Sequence, residues 1–176
     1  MLQPNFDPLV PYGWNERVLT LFNTHASPGD RPARVVRAER GRCVIVDAGG
    51  DETEVDSPQS PAVGEWLLMQ GTSIVGALPR WSELARGDPN GSSVQVLAAN
   101  VDLVAITVPA DRLNAARVER ELAIAWDSGA QPLVILTKAD LGTPDDLVAL
   151  ESRLGVDVLA TSAAARTGLD GVAQIL

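Results

Sequence analysis

The sequence predicts a small all-β barrel followed by an incomplete, doubly wound parallel sheet covered by helices. Between residues 31 and 80, short strand-forming runs alternate with turn residues, and no run has a helical period. From residue 97 onward, near-continuous apolar strands alternate with amphipathic helices, which is typical of a parallel α/β layer. With 176 residues, 45% of them hydrophobic, the chain can fill one larger or two small cores.

The amino-acid composition excludes several classes of protein. A single cysteine and a single histidine exclude a disulfide framework and a Cys/His zinc cluster. No apolar run reaches the ~20 residues of a membrane helix, and the N-terminus lacks the pattern of a signal peptide. We therefore expect a monomeric, cytoplasmic protein that does not enter a membrane. The one cysteine, Cys43, is predicted to be a buried small hydrophobic residue.

The all-β part is predicted to consist of an N-terminal arm, residues 1–30, and a barrel, residues 31–80. The arm carries a short helix at residues 15–23, which the side chain of Asn15 can cap. Five strands are predicted in the barrel, at residues 34–38, 42–47, 52–56, 65–70 and 72–78. A barrel of the oligonucleotide-binding (OB) type fits this count, and an SH3-like barrel fits it almost as well.

A linker is predicted at residues 81–96, where Gly, Asp, Pro and Asn form a plain loop signal. The α/β part, residues 97–176, is predicted to alternate strands and helices. Its strands are expected at residues 101–108, 132–137 and 157–161, and its helices at 114–128, from 143 to 155, and from 167 onward. So small a parallel sheet has an open edge, which suggests that further strands are missing.

Thr137, Lys138, Ala139 and Asp140 directly follow the second α/β strand and match the [NT]-K-x-D pattern of guanine recognition. Ligands bind at this end of the strands in open α/β sheets. Guanine presents two N–H donors on one edge, and the two oxygens of the Asp140 carboxylate can accept from both, whereas adenine lacks this donor pair. The aliphatic stem of Lys138 can lie over the base, and Thr137 can anchor the loop.

Ser162 and Ala163 follow the next strand, one helix later. In GTPases a Ser-Ala loop at this place supplies a backbone N–H to the guanine carbonyl, and the serine steadies the loop. The alternative is that residues 137–140 form an ordinary solvated turn. Asp111, near the end of the first α/β strand, is interpreted as a loop acid. Together the two motifs predict a guanine-binding site formed by Thr137, Lys138, Asp140, Ser162 and Ala163.

No phosphate-binding loop of the form G-x-x-x-x-G-K-[ST] is present in the sequence, because Lys138 is the only lysine and Ala139 follows it. Residues 47–50 match the D-x-x-G switch pattern, but their position between two barrel strands indicates a hairpin turn. Hydrolysis of a nucleoside triphosphate depends on positioning the phosphates and stabilising their charge. We therefore expect no catalytic residue for hydrolysis in this chain and no turnover by the chain alone.

A barrel followed by guanine recognition before any phosphate loop resembles the RsgA (YjeQ) family of circularly permuted P-loop GTPases, which act in maturation of the small (30S) ribosomal subunit. Residues 78–84, 97–102 and 167–170 also resemble that family, and the resemblance covers about residues 32–176. It implies binding of GTP or GDP, with Mg²⁺ held by residues beyond this chain and a C-terminal zinc domain that is absent here. On this resemblance the chain is expected to be truncated before the phosphate loop.

The net charge of −9 is unevenly distributed, because residues 30–42 hold five arginines and two acids, which makes this segment +3 and the remainder −12. Arginines on a barrel face suit contacts with phosphates, and an ordinary solvated strand edge fits them equally well. The resemblance favours RNA and implies contact with the small ribosomal subunit and its rRNA. The candidate RNA-binding residues are Arg34, Arg37, Arg40, Arg42 and Arg80.

Two other functions remain open from the sequence. One is a non-enzymatic RNA-binding OB module with a degenerate α/β appendage, which would bind RNA without preferring guanine. The other is an α/β domain that binds no nucleotide, in which the substitution Asp140→Asn would change the binding of no ligand.

Overall fold

The computed structural model describes residues 6–87 and 94–175, with only the backbone described at residues 144–147. It divides into two compact units, Met1–Val101 and Asp102–Leu176. The first unit contains a 3-10 helix (Asp7–Tyr12), α1 (Glu16–His25), β1 (Arg31–Glu39), β2 (Arg42–Asp47), β3 (Glu52–Asp56), β4 (Trp66–Gln70), β5 (Ser73–Ala77), β6 (Glu83–Gly87) and β7 (Val94–Ala99). The second contains β8 (Leu103–Pro109), α2 (Ala115–Asp127), β9 (Gln131–Thr137), α3 (Pro144–Leu154), β10 (Val158–Ala160) and α4 (Leu169–Ile175).

Strands β1 to β5 form one antiparallel sheet in the order β3-β2-β1-β4-β5, curled into a half-barrel. This arrangement confirms the predicted five barrel strands, which the structure shows curled into a half-barrel. The register of β1 against β2 shifts between Val35 and Arg37, and such a bulge increases the local bend of a strand. Residues 47–50 form the turn from β2 to β3, in which Asp47 Oδ1 accepts a hydrogen bond from Gly49 N at 2.7 Å.

Strand β4 is buried along both faces, and this burial explains its unbroken apolar run. Leu67 and Met69 face the interior of the half-barrel, whereas Trp66 and Leu68 pack against the N-terminal residues. The inner cluster is made of Ala33, Val35, Cys43, Ile45, Val55, Leu67 and Met69, and the outer cluster of Leu9, Val18, Phe22, Val46, Ala48, Trp66, Leu68 and Leu78. Both faces of this sheet therefore contribute to the core of the first unit.

The segment predicted as an N-terminal arm packs onto the outer face of the sheet. Its helix begins one residue after Asn15, whose Oδ1 accepts a hydrogen bond from Val18 N at 3.2 Å, so the predicted cap is confirmed. The aromatic rings of Phe6, Trp14 and Phe22 lie within 6 Å of one another, and Trp14 also contacts Trp66 edge-on. Burial of these rings gives the segment its fixed position. Residues 1–5 lie outside the described residues.

The predicted linker, residues 81–96, contains two paired strands in the structure. β6 and β7 pair antiparallel from Glu83 opposite Ala99 to Gly87 opposite Val94, and Val63 forms a bridge to Ala98. The residues between the two strands, 88–93, lie outside the described residues. The linker predicted from the loop signal stays a prediction, and the structure adds the two paired strands that flank this signal.

Asn100 joins three parts of the first unit where β7 ends. Its side chain is 2% exposed, its Oδ1 accepts a hydrogen bond from Trp81 N at 3.2 Å, and its Nδ2 donates to Gly64 O at 3.0 Å. The backbone of Asn100 is left-handed, with φ of +57°, a conformation that asparagine tolerates better than most residues. At Gly64 a Cβ would lie 2.2 Å from Ala99 O, so the two segments approach as closely as only glycine allows.

The second unit has a three-stranded parallel sheet in the order β10-β9-β8, with helices α2 and α3 packed against it. Its strands and helices lie within about two residues of the predicted ones, which confirms the α/β alternation. The core consists of Ile106, Val108, Val118, Leu122, Ala125, Val134, Leu136, Leu150 and Val158. Across the described ranges of the chain, no helix is long and apolar enough to cross a bilayer.

Candidate nucleotide-binding site

The loop after β9 carries the first predicted motif at the carboxyl edge of the sheet. Thr137 is the last residue of β9 and pairs with Pro109 of β8. Lys138 then adopts a left-handed conformation, with φ of +51° and ψ of 42°, and a 3-10 turn begins at Ala139. Ala139 N donates to Thr161 O at 2.9 Å, which holds the loop against the end of β10. Because a left-handed non-glycine residue costs about 1–2 kcal/mol, this loop conformation depends on such contacts from its neighbours.

Ser162 brings the second motif into contact with the first. It is 1% exposed, follows β10, and donates from its hydroxyl group to Asp140 Oδ1. Its Oγ also accepts from Ala165 N at 3.0 Å, so the hydroxyl group has a defined orientation. Asp140 itself is exposed, and among the described residues its Oδ2 accepts no hydrogen bond. One carboxylate oxygen is therefore fixed by the protein, while the other remains available to a ligand. Ala163, the next residue, is exposed.

A tight turn holds Ser162 in place. The backbones of Ser162 and Thr167 exchange two hydrogen bonds of 3.0 Å each. The next residue, Gly168, has φ of +69°, and a Cβ there would lie 2.0 Å from Ala160 O. Only glycine tolerates both the positive φ and the close approach of Ala160 O, so Gly168 allows the loop after Ser162 to pack against the end of β10.

Asp111 contacts the site, a contact that the sequence interpretation missed. Its Oδ2 lies 3.3 Å from Lys138 Nζ, and the two side chains are 30% and 54% exposed. Asp111 belongs to a 3-10 turn, Ala110–Arg112, that directly follows β8. The signal that could have revealed this pair is positional, because β8 and β9 are adjacent parallel strands and both side chains follow a strand end.

The residues brought together suit a guanine base better than a metal ion or a phosphate group. They offer carboxylate oxygens as acceptors, an aliphatic lysine stem and exposed backbone after Ser162. Among the side chains that the structure describes, no group of three or more His, Cys, Asp or Glu residues is arranged to hold a metal ion. Lys138 supplies one positive charge at this edge, and it is paired with Asp111.

Arg34, one of the five candidate RNA-binding arginines, is used inside the first unit. Its guanidinium donates to Tyr12 O at 2.5 Å and to Asn100 O at 3.2 Å. It also lies 5.1 Å from the centre of the Trp66 ring, a cation–π distance. These contacts show that Arg34 helps to pack the N-terminal segment against the sheet, and its role in binding RNA stays a prediction.

Two further candidates, Arg42 and Arg80, are paired with acids. Arg42 lies 2.6 Å from Glu54 on the neighbouring strand. Arg80 contacts the buried Glu65 and lies 2.8 Å from Glu83. Partial burial lowers the pKa of Arg80, but hydrogen bonds to Glu83 and Glu65 outweigh it and raise the pKa above its ordinary value. Both arginines therefore carry little unbalanced positive charge.

Arg37 and Arg40 remain as exposed cations near the turn from β1 to β2. Arg37 lies opposite Val44 in the sheet, and Arg40 follows the end of β1. Neither forms an ion pair with any of the described residues, and both are exposed. Of the five candidates, these two are the ones whose charge is available to a polyanion.

Known proteins resemble this chain in sequence and in fold. Residues 77–176 match the family described as RsgA GTPase. The chain is 38% identical to the small ribosomal subunit biogenesis GTPase RsgA of Streptomyces coelicolor, over 98% of this chain and 52% of the relative. It is 39% identical to the protein of the same name from Streptomyces avermitilis, over 96% of this chain and 51% of the relative. The chain thus spans about half the length of these curated relatives.

Two solved structures share the fold. YjeQ from Thermotoga maritima superimposes with a TM-score of 0.63 at 18% identity, over 84% of this chain and 57% of that one. YloQ, described as a circularly permuted GTPase, superimposes with a TM-score of 0.57 at 19% identity, over 86% and 57% of the two chains. At these identities the likeness establishes the architecture.

Proposed function

The chain belongs to the RsgA GTPase family, and we propose that it supplies the guanine-binding part of a GTP-binding protein acting in small ribosomal subunit biogenesis. The observation that carries this proposal is the contact between Ser162 and Asp140. Two motifs that lie 22 residues apart in the sequence meet through a buried hydroxyl group and an exposed carboxylate. The names of the curated relatives support the small ribosomal subunit as the partner.

The base is selected by complementary hydrogen bonding. The Asp140 carboxylate accepts from the two N–H donors of guanine, and its oxygens have lone pairs to spare after Oδ1 has bonded Ser162. The backbone N–H of Ala163 donates to the guanine carbonyl, and the stem of Lys138 lies along the base plane. Thr137 ends β9 and fixes where the loop begins. Adenine places a ring nitrogen acceptor where guanine has a donor, so a carboxylate there repels it.

Binding of the phosphates and Mg²⁺ requires groups that this sequence does not supply. A phosphate-binding loop needs a second lysine, and Lys138 is the only one present. We therefore propose that GTP and GDP bind through their base to this chain and through their phosphates to residues outside it. By itself the chain should hold the base weakly and should not hydrolyse GTP.

The test is an NMR titration of the ¹⁵N-labelled chain with GMP and AMP. We expect GMP to shift the amide signals of residues 137–141 and 161–164 with a Kd of roughly 1 mM, and AMP to shift them far less. Asp140→Asn should abolish the preference for GMP and favour XMP, because xanthine carries an oxygen to which the new amide can donate. Asp127→Asn, which makes the same charge change at the end of α2, should leave the preference unchanged. Equal shifts with GMP and AMP would exclude guanine recognition.

We further propose that the half-barrel contacts RNA through Arg37 and Arg40. The double substitution of Arg37 and Arg40 by alanine should weaken binding to a small-subunit rRNA fragment. It should also make the affinity less dependent on salt concentration, by an amount that corresponds to about one to two phosphate contacts. Arg42→Ala is the control, because its guanidinium is already paired with Glu54. RNA binding that persists alongside equal GMP and AMP shifts would instead favour the non-enzymatic RNA-binding module. An unchanged salt slope in the double variant would exclude these two arginines as the contact.

A further inference from the structure

Two charged side chains of the candidate site, Lys138 and Asp140, each contact a residue that follows a neighbouring strand. At the carboxyl edge of the sheet, Ser162 follows β10, Lys138 and Asp140 follow β9, and Asp111 follows β8. Ser162 bonds one oxygen of Asp140 from the β10 side. From the β8 side, Asp111 Oδ2 lies 3.3 Å from Lys138 Nζ. Two polar contacts therefore hold the loop after β9, one through Asp140 and the other through Lys138.

The position of Asp111 follows from the sheet register. Pro109 and Thr137 are the last paired residues of β8 and β9, so the two chains leave the sheet side by side. Asp111 lies two residues beyond this pair, in a 3-10 turn, and Lys138 lies one residue beyond it. The left-handed backbone of Lys138 then sets the direction in which its side chain leaves the loop.

Stability alone does not account for the ion pair. The side chain of Lys138 is 54% exposed and that of Asp111 is 30% exposed. An exposed pair of this kind contributes little to folding, because water screens the charges and two side chains lose freedom. What the pair does determine is the location of the only lysine ammonium in the chain.

We propose that Asp111 is a positioning residue for guanine binding, which holds the Lys138 ammonium on the β8 side and away from the Asp140 carboxylate; this inference rests on the proposed function. Lys138 is two residues from Asp140, and its flexible four-carbon stem would allow an unheld ammonium to turn to that carboxylate. An ammonium there would occupy the oxygens that accept from the base. With the ammonium on Asp111, the stem crosses the site and offers the base an apolar surface.

The sole lysine makes this inference testable by one NMR signal. The chain grown with ¹³C-lysine gives a single lysine side-chain signal, which belongs to Lys138. We expect Asp111→Asn to shift this signal before any nucleotide is added. The same substitution should raise the Kd for GMP about fivefold, which is the largest change expected from the loss of an exposed ion pair. Asp111→Glu should restore the affinity to within about twofold, because it keeps the charge. Asp127→Asn is the charge-matched control and should change neither quantity.

The outcomes separate this inference from the proposed function. If the unmodified chain prefers GMP to AMP and Asp111→Asn binds GMP equally well, the positioning role is wrong while guanine recognition stands. If Asp111→Asn also lowers the hydrogen-exchange protection of β9, and this local loss of stability accounts for the whole loss of GMP affinity, Asp111 has only a structural role and the inference fails. If the unmodified chain does not distinguish GMP from AMP, guanine recognition fails first and the positioning role fails with it.

Discussion

Replacing Gly168 with alanine tests whether the turn that follows Ser162 holds the Asp140 carboxylate in place. A Cβ at this position would lie 2.0 Å from Ala160 O and 3.1 Å from its carbonyl carbon. These are backbone atoms at the end of β10, so no flexible side chain can move aside to make room. The turn that bonds Ser162 to Thr167 must shift, and the hydroxyl group of Ser162 shifts with it.

The magnitude follows from comparison with a second glycine in the same unit. Gly155 has φ of +65°, close to the +69° of Gly168, but a Cβ at Gly155 would meet nothing within 4 Å. Alanine in the left-handed conformation costs about 1–2 kcal/mol at either position. Overlap with packed atoms adds about 1–3 kcal/mol at Gly168 alone. Gly155→Ala should therefore lower the free energy of unfolding by about 1–2 kcal/mol, and Gly168→Ala by about 2–5 kcal/mol.

Two measurements check this prediction. Native-state hydrogen exchange of the buried β9 residues Val134 and Ile135 reports the free energy of unfolding of the second unit. The NMR titration with GMP and AMP reports the geometry of the site. We expect Gly168→Ala to lose the preference for GMP and Gly155→Ala to keep it. Equal losses of stability in the two variants would refute the packing argument. An unchanged GMP preference in a destabilised Gly168→Ala would refute the link between the turn and the carboxylate.

Three further predictions concern the first unit. Asn100→Asp removes the buried donor to Gly64 O and should cost at least about 2 kcal/mol in urea unfolding; an unchanged midpoint would contradict this role. Burial raises the pKa of the Cys43 thiol in the folded state. The contribution of this pKa shift to the free energy of unfolding is complete at neutral pH and is lost as the pH rises towards the folded-state pKa. Stability should therefore decline less at alkaline pH in Cys43→Ala than in the unmodified chain. Asn15→Ala removes the cap on Val18 N and should cost about 1 kcal/mol by the same urea assay, whereas no loss would mean that water replaces the cap.

The elements predicted correctly are those whose signals lie within a few residues. Strand β2 and strand β3 were found at their predicted bounds, because apolar alternation and the Gly49–Gly50 turn mark them locally. The cap at Asn15 and the two strand ends that carry the guanine motifs were also visible in the sequence. Strand–loop–helix order then suffices to bring Asp140 and Ser162 to one edge, since parallel strands end on the same side.

The features that the sequence did not reveal depend on partners far along the chain. Nothing near Arg34 indicates that its guanidinium bonds backbone oxygens 22 and 66 residues away. The loop signal at residues 87–91 fits a linker and a hairpin equally well, and only the pairing of β6 with β7 distinguishes them. Asp111 lies 27 residues from Lys138, and its role becomes visible only once the strand order is known.

The contact between Arg34 and Asn100 can form only after both residues have been synthesised. These residues are 66 positions apart, and the left-handed Asn100 joins β1, the Gly64 turn and the β6–β7 hairpin through four hydrogen bonds. At about 5–20 residues per second, a ribosome takes roughly 3–13 s to make the chain between them. During that interval β1 and Gly64 lack their contacts with Asn100. The first unit can therefore acquire all of its contacts only when the residues that directly precede the second unit in the sequence have been made.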